Sequence, residues 1–443
     1  MKAYPAYKNC DNKKIGKIPE HWSSKKLKYV SNTLPSNIDK KSKEGESIIF
    51  LCNYMDVYRN EFITDDITFM KATASDIQIE KFLLKNGDVL VTKDSEDPKD
   101  IAVPALVTKN YENVVCGYHL TRIRPKHEIL GRYLFRLLQA KPFNSYFEVN
   151  AKGVTRFGLG TEAFLNFEIL VPTIQEQTAI ANFLDHKTAQ IDLSIEKGQQ
   201  LIELLQEQRA AIINEAVTKG INPDVPMKDS GIEWIGEVPA HWEKVKLKHL
   251  GLIKYGLGQP PKRKDDGLPI IRATNIYRGK ISEKNMIYVD PEDVPYDRDP
   301  VLKENDIIVV RSGAYTADSA IISKKYVGAI TGYDMVFRPI SIIPNFIAYG
   351  FLSNYILFNQ LYLHRLRAAQ PHLNAEELGD TWILLPPEDE QKAIVYYIET
   401  ETNKIDQEIQ SIQKEIELLK EYRQSLIAEA VTGKIDVRDY PLK

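Results

Sequence analysis

Cysteine is scarce: Cys10, Cys52 and Cys116 are the only three in 443 residues. They are too few and too far apart for a disulfide framework or a zinc spacing, so buried thiols are their expected state. Charge of one sign is also missing, because 58 Lys and Arg stand against 61 Asp and Glu, for a net charge of -3. A basic footprint is the usual electrostatic mark of phosphate contact, so any such surface must be local or shared with a partner protein. No apolar run approaches the ~20 residues needed to span a bilayer. The N-terminal stretch MKAYPAYKNCDNKK lacks the apolar core of a signal peptide. A soluble, cytoplasmic protein with no membrane partner is expected.

Catalytic motifs are equally hard to find. There is no Asn-Pro-Pro-aromatic tetrapeptide, the amine-positioning motif of adenine methyltransferases. No phosphate-binding Gly-x-x-x-x-Gly-Lys-Ser/Thr loop occurs, and GLGQPPKRK carries prolines where such a loop needs backbone amides. The eight histidines form no paired metal motif, and no pair of carboxylates stands out from the charged surface. These gaps argue against an enzyme acting alone and against a metal or cofactor held by this chain.

What the chain does have is itself, twice. IGKIPEHWSSKKLKYV from Ile15 and IGEVPAHWEKVKLKHL from Ile235 share 8 of 16 positions. Segments of 46 residues beginning at Glu176 and Glu390 align without a gap at an offset of 214, with 21 identities. Between these anchors LKNGDVLVTKD from Leu84 resembles LKENDIIVVRS from Leu302, and CGYHLTRIRP from Cys116 resembles TGYDMVFRP from Thr331. The order is a variable module, a helical segment, a second variable module and a second helical segment. A hydrophobic content of 43% is enough for each module to bury a core.

The helical segments carry alternating steps of four and three. The first runs Ile191, Ile195, Gly198, Ile202, Leu205, Arg209, Ile212 and Ala216. The second runs Ile405, Ile409, Ile412, Ile416, Leu419, Arg423, Leu426 and Ala430. This is the seam of a left-handed coiled coil. Thr173 and Glu176 predict a capping box at the first start, where the second copy has Pro387; Gly220 and Gly433 predict the stops. Asp185 or Glu399, with Thr188 or Thr402, suggest a break that leaves a long helix of roughly 30 residues, ~45 Å at 1.5 Å per residue. Arg209 and Arg423 interrupt the seam and are expected to snorkel or to pair with Glu203 or Glu417. If a two-fold axis relates the halves, the helices are antiparallel and act as a ruler between the modules.

Strand-like runs fill the modules: SIIFL at Ser47, DVLVTK at Asp88, VPALVTK at Val103, LPIIRATNI at Leu268 and DIIVVRS at Asp306. Helical stretches follow near Leu130 and Asn345. Mixed modules with twisted, partly antiparallel sheets are expected. Polar loops with Gly, basic and aromatic residues punctuate them at equivalent places in both copies.

Four features together, IGEVPAHW, the LPP…EQ junction, the KIDQEI…ELLKEYRQSLIAEAVTGKI helix and their duplication around dissimilar modules, resemble the specificity subunit of a Type I restriction-modification enzyme. The resemblance covers nearly the whole chain; NCDNKK, where the second copy has DSGIEW, is the least typical part. It implies an α+β fold of two pseudo-two-fold related α/β target-recognition domains separated by two long antiparallel coiled-coil helices. The divisions are 1–173 and 222–387 for the recognition domains, with 174–221 and 388–443 for the helical spacers and C-terminal tail. The implied role is non-catalytic: each recognition domain reads one half of a bipartite, asymmetric site in double-stranded DNA. Two methyltransferase subunits would dock on the helices and carry S-adenosylmethionine, and restriction/translocase subunits would use ATP and Mg. A protein-binding coiled-coil scaffold and a self-contained DNA-modifying enzyme are the rival readings.

Loop chemistry and equivalent placement nominate the readers. In the first module they are Lys93, Lys152, Thr155 and Arg156. In the second they are Arg311, Ser312, Tyr315, Arg367, Gln370 and His372, with Lys262, Arg263 and Lys264 as phosphate contacts. Gly117-Tyr118 and Gly332-Tyr333 fit either a DNA face or a buried tyrosine after a strand bend. His21 and His241 are expected to pack or cap rather than catalyse, and Trp22 and Trp242 to lock each module's start in place.

Overall fold

The computed structural model describes residues 2–10, 15–365 and 372–441. The chain divides into two compact units, Met1–Gly198 with Gln413–Lys443, and Gln199–Ile412. Each unit thus combines one variable module with part of both long helices.

In the first unit, five strands order as Ser31–Pro35, Leu120–Pro125, Val89–Thr92, Pro104–Val107 and Phe62–Ile63, all antiparallel except the last pair. A three-stranded sheet, Val114–Cys116, Ser47–Cys52 and Met70–Ala74, covers one side, and a core including Ile49, Leu51, Leu90 and Val115 fills the space between. The second unit repeats the plan with Gly251–Tyr255, Met335–Pro339, Ile307–Val309 and Ser319–Ile321, beside Ile287–Val289, Arg263–Ile271 and Ile330–Thr331. Alternation puts Val89 and Val91 on one face of the first sheet and Leu90 on the other, so both faces are buried.

One ion pair fixes the same strand in both copies. Arg124 donates from Nε and Nη2 to the two oxygens of Asp88, each at 2.7 Å. Arg338 does the same to Asp306 at 2.7 and 2.8 Å. Asp88 and Asp306 are each 1% exposed, and the bidentate fork satisfies carboxylates that would otherwise be costly to bury.

The long helices run unbroken from Ile174–Lys219, 46 residues, and from Glu388–Val431, 44 residues. The expected break and the 30-residue length are therefore corrected: at 1.5 Å per residue each helix reaches roughly 65–70 Å. The polar residues that suggested a break are satisfied without one. The buried Arg136 of the first module donates to Asp185 Oδ1 at 2.8 Å and to Thr188 Oγ1 at 3.0 Å. In the second unit Asn345 donates to Glu399 at 3.0 Å, and Thr402 Oγ1 bonds back to Ile398 O at 2.7 Å, which leaves the helix intact.

Along these helices Ile191, Leu205, Ile405, Ile416 and Leu426 are buried, and Ile195, Ile202, Ile212, Ile409, Ile412 and Leu419 are half-buried, whereas 192–194, 199–201, 413–415 and 417–418 are exposed. The arginines of the seam do not take Glu203 or Glu417. Arg423 Nε donates to Asp192 at 2.8 Å, and Arg209 Nε lies 3.3 Å from Asp406, the same two positions moved by 214 residues. An aspartate on the facing helix is nearer than a glutamate on the arginine's own. In the first unit Trp22 sits between Glu176 at the start of one helix and Gly433 just past the end of the other, while Asp192 meets Arg423, so the helical segments there run antiparallel. In the second, the pairing of Arg209 with Asp406 and the closeness of Gly220 to Glu390 give the same sense.

The repeated Pro-x-His-Trp motif holds the Glu-Gln junction. Trp22 Nε1 donates to Glu176 Oε1 at 3.2 Å, and His21 Nε2 lies 2.8 Å from the same oxygen. Trp242 and His241 grip Glu390 at 3.0 and 2.7 Å. Thr173 completes the expected capping box through Glu176 Oε2, at 3.2 Å from N and 2.9 Å from Oγ1. The neighbouring Gln177 accepts from Leu130 N at 2.8 Å, and Gln391 accepts from Ile343 N at 2.9 Å, pinning the helix that follows the sheet in each module. Gly433 and Gly220, at φ +69° and +75°, end the helices against the same tryptophans; a Cβ on Gly433 would stand 2.4 Å from Pro19 Cδ and 3.2 Å from Trp22.

Burial pushes the Glu176 carboxyl up, but the hydrogen bonds from His21, Thr173 and Trp22 outweigh it and hold the group below its ordinary value of 4.5. Its contribution to stability is complete above that value and is lost as pH falls through the lower value of the folded state. Glu176→Gln is expected to cost about 1–2 kcal/mol at neutral pH. Thermal melts of both proteins against pH check this: the difference should shrink on acidification below about 4.5, and a pH-independent gap would show that the charge is not involved.

Candidate nucleic-acid interface

Lys93 leaves the end of strand Val89–Thr92, and its Nζ donates to Ser36 O at 3.1 Å while standing 4.4 Å over the Tyr118 ring. Burial lowers the pKa of this ammonium. Beside it Asp94–Ser95 pairs with Phe157–Gly158, bringing two distant loops together. Arg156 Nη2 donates to Asp94 Oδ1 at 2.6 Å, and His119 Nδ1 lies 2.8 Å from Asp94 Oδ2. The backbone of Lys152 bridges Gly158, and the side chains of Lys152 and Thr155 are exposed on the same loop. Tyr54 and Tyr58 stack at 5.6 Å, and Tyr54 bonds Ser95.

The second unit builds a related surface. Arg311 leaves strand Ile307–Val309 one residue later, and its guanidinium lies 4.5 Å from the Tyr255 ring and 4.6 Å from Tyr333. Its Nη2 is 3.2 Å from His372 Nε2, and Ser312 bridges His372 through the backbone. Arg311 N donates to Asp334 Oδ1 at 3.0 Å; burial raises that carboxyl to about 6 despite the backbone bonds. Tyr315 is exposed and edge-on to Tyr277. Lys262, Arg263 and Lys264 are exposed at the start of Arg263–Ile271; Lys264 Nζ pairs with Asp290 at 3.2 Å and Lys262 N donates to Asp293 at 2.8 Å. Arg367 and Gln370 lie outside the described residues.

Lys93 and Arg311 are equivalent in the duplication, as are Tyr118 and Tyr333. A cation over an exposed tyrosine therefore recurs at one strand end in both modules. The tyrosines are 50% and 45% exposed, which removes the buried alternative. A ring face holds the cation by its quadrupole. Sequence reasoning missed Asp94, His119, Tyr54 and Tyr255 as members of these surfaces. His119 follows the Gly-Tyr pair and Tyr255 immediately precedes the GLGQPPKRK stretch, so adjacency was the available signal. Among the described residues, no cluster of His, Cys, Asp or Glu is placed to hold a metal, and no helix is long and apolar enough to cross a membrane.

A profile of the Type I restriction modification DNA specificity domain matches residues 19–204 and again 239–418, once per copy. The chain belongs to this family. Type I specificity subunits are non-catalytic, DNA-binding members of restriction systems. Similar relatives include the type I restriction enzyme MjaVIII specificity subunit of Methanocaldococcus jannaschii, 24% identical over 96% of this chain and 95% of the relative. Another is the EcoKI specificity subunit of Escherichia coli, 19% identical over 95% and 90%. A solved chain from work on complex assembly and conformational transition of the type I R-M system shares the fold, with a TM-score of 0.66 and 15% identity over 94% of this chain and 99% of that one. The HsdS subunit from Thermoanaerobacter tengcongensis has a TM-score of 0.52 and 16% identity over 94% and 98%. The α+β architecture with two long helices in contact is that of known specificity subunits.

Proposed function

We propose that each unit of this specificity subunit reads one half of a bipartite, asymmetric site in double-stranded DNA, through residues 1–173 and 222–387. The spacers 174–221 and 388–443, related by a pseudo-two-fold axis, set the gap and dock two methyltransferase subunits. Those partners carry the S-adenosylmethionine and flip the target adenine; restriction/translocase subunits supply the ATP- and Mg-dependent steps. The observation that carries the reading is the repeated cation on tyrosine at the ends of two equivalent strands. A held Lys or Arg can bond guanine O6 and N7 in the major groove, and the loops around it differ enough to read different bases. With a net charge of -3, many of the phosphate contacts fall to the partners closing round the duplex.

The test is a module exchange. Replacing residues 1–173 by the module of another family member and sequencing the methylated bases of a host that also expresses the methyltransferase should change one half of the motif. The other half and the gap should stay. A motif that is unchanged, or altered in both halves, overturns the assignment.

A further inference from the structure

The twin arginines of the long helices are treated differently by the two units. Arg423 is fully paired: its Nη2 donates to Glu61 at 2.6 Å and to Asp192 at 3.1 Å, and its Nε to Asp192 at 2.8 Å. Arg209 is its counterpart, yet the contact with Asp406 lies outside hydrogen-bond geometry, and its buried Nε has no acceptor among the described residues. Arg209 keeps the ion pair with its aspartate, and the second acid that Arg423 has and Arg209 lacks can be identified by place. Glu61 O accepts from Leu106 N beside strand Pro104–Val107, while beside the equivalent strand Ser319–Ile321 it is Gly279 N that donates to Ser319 O. Where the first unit has a glutamate, the second has Arg278-Gly279-Lys280.

A cavity of about 260 Å³ occupies this position, walled by Arg209, Gly279, Tyr349 and Glu399 and by the exposed Arg278 and Lys280. Glu399 is already engaged by Asn345 at 3.0 Å. Three cations face one carboxylate across a space that none of the described residues fills. A hollow beside Arg423 in the first unit keeps Glu61 in its wall, so the duplication itself supplies the reference for what belongs there.

We infer that the cavity beside Arg209 binds a carboxylate on a short apolar stem, in the role that the Glu61 side chain plays for Arg423. One carboxylate meets the Arg209 guanidinium, where a charge-assisted bond in a half-buried setting is strong. In a dicarboxylic acid the second carboxylate, three carbons away, meets Arg278 and Lys280; an acidic side chain makes the first contact alone. The source is either a free dicarboxylic acid or an acidic side chain of a docked methyltransferase subunit; the latter rests on the docking proposed above, and neither involves the DNA-reading surface.

Glutarate is the probe, titrated calorimetrically into the full chain at constant ionic strength. Saturable binding is expected, weakened roughly tenfold or more in Arg209→Gln and severalfold in Lys280→Glu. Because Lys280 is exposed, its variant answers the question even where Arg209→Gln fails to fold. Absence of saturable binding, an unchanged titration in Lys280→Glu, or inorganic phosphate binding as tightly as glutarate overturns the inference. Once binding is seen, assembly with the methyltransferase separates the sources. Weaker assembly in glutarate identifies a partner side chain, and unaffected assembly identifies a free acid.

Discussion

Trp22→Ala is expected to cost the first unit about 3–5 kcal/mol, most of the stability of an ordinary domain. The indole is fully buried in the largest core, edge-on to Tyr4 at 5.7 Å, and its N–H bonds the equally buried Glu176. It also closes against Gly433, so one side chain joins the beginning of the module, the start of one long helix and the end of the other. Its loss leaves a cavity and removes one of the donors that hold Glu176 ionised. Trp22→Phe keeps much of the apolar contact and loses the bond, for about 1–2 kcal/mol. Trp242→Ala should do to the second unit what Trp22→Ala does to the first. Urea unfolding followed by amide exchange in each unit checks this. A substitution that leaves its own unit's protection unchanged would refute the joint role.

Arg311→Ala is expected to lose ~1–3 kcal/mol of DNA binding and to relax a single base position in the methylated motif. The guanidinium is held between Tyr255 and Tyr333 and beside His372, and Asp334 fixes the Arg311 backbone N–H, so little conformational entropy remains to be lost on binding. Methylome sequencing with the reconstituted methyltransferase, alongside binding at two salt concentrations, distinguishes the outcomes. Uniform weakening across sequences, with the salt slope reduced by about one, would make Arg311 a phosphate contact instead. Lys93→Ala is the matching experiment for the other half-site.

Much of this architecture was legible because duplication supplies its own control. The 4-3 steps marked the sheltered stripe of both helices, and alternation located the strands that lead to Lys93 and Arg311. The continuity of the helices was not legible. Asp185 and Thr188 have the chemistry of a helix boundary, and only a fully buried Arg136, brought from a different part of the chain, makes them interior residues. Arg209 and Arg423 were read as breaks in a seam, but the aspartates that answer them belong to the facing helix, a contact that spacing along one helix does not reveal. At the candidate surfaces, composition picked out the basic residues, while the tyrosines beside them depended on the fold. Asp94 joined Arg156 only through pairing of two short strands far apart in sequence.

The grip on the Glu-Gln junction makes each module a cassette. Between Trp22 and Glu176, and again between Trp242 and Glu390, the fold asks of the intervening chain mainly that it return a strand to the same neighbour: Glu168–Val171 pairs Ser23–Lys26, and Trp382–Leu385 pairs Glu243–Lys246 in the same antiparallel register. Loops inside those limits that do not meet the long helices can diverge without disturbing the clasp, whereas Arg136 and Glu61 in the first module and Asn345 in the second tie their own helices. Recombination at these two seams is therefore expected to keep the clasp while exchanging the loops between its two halves.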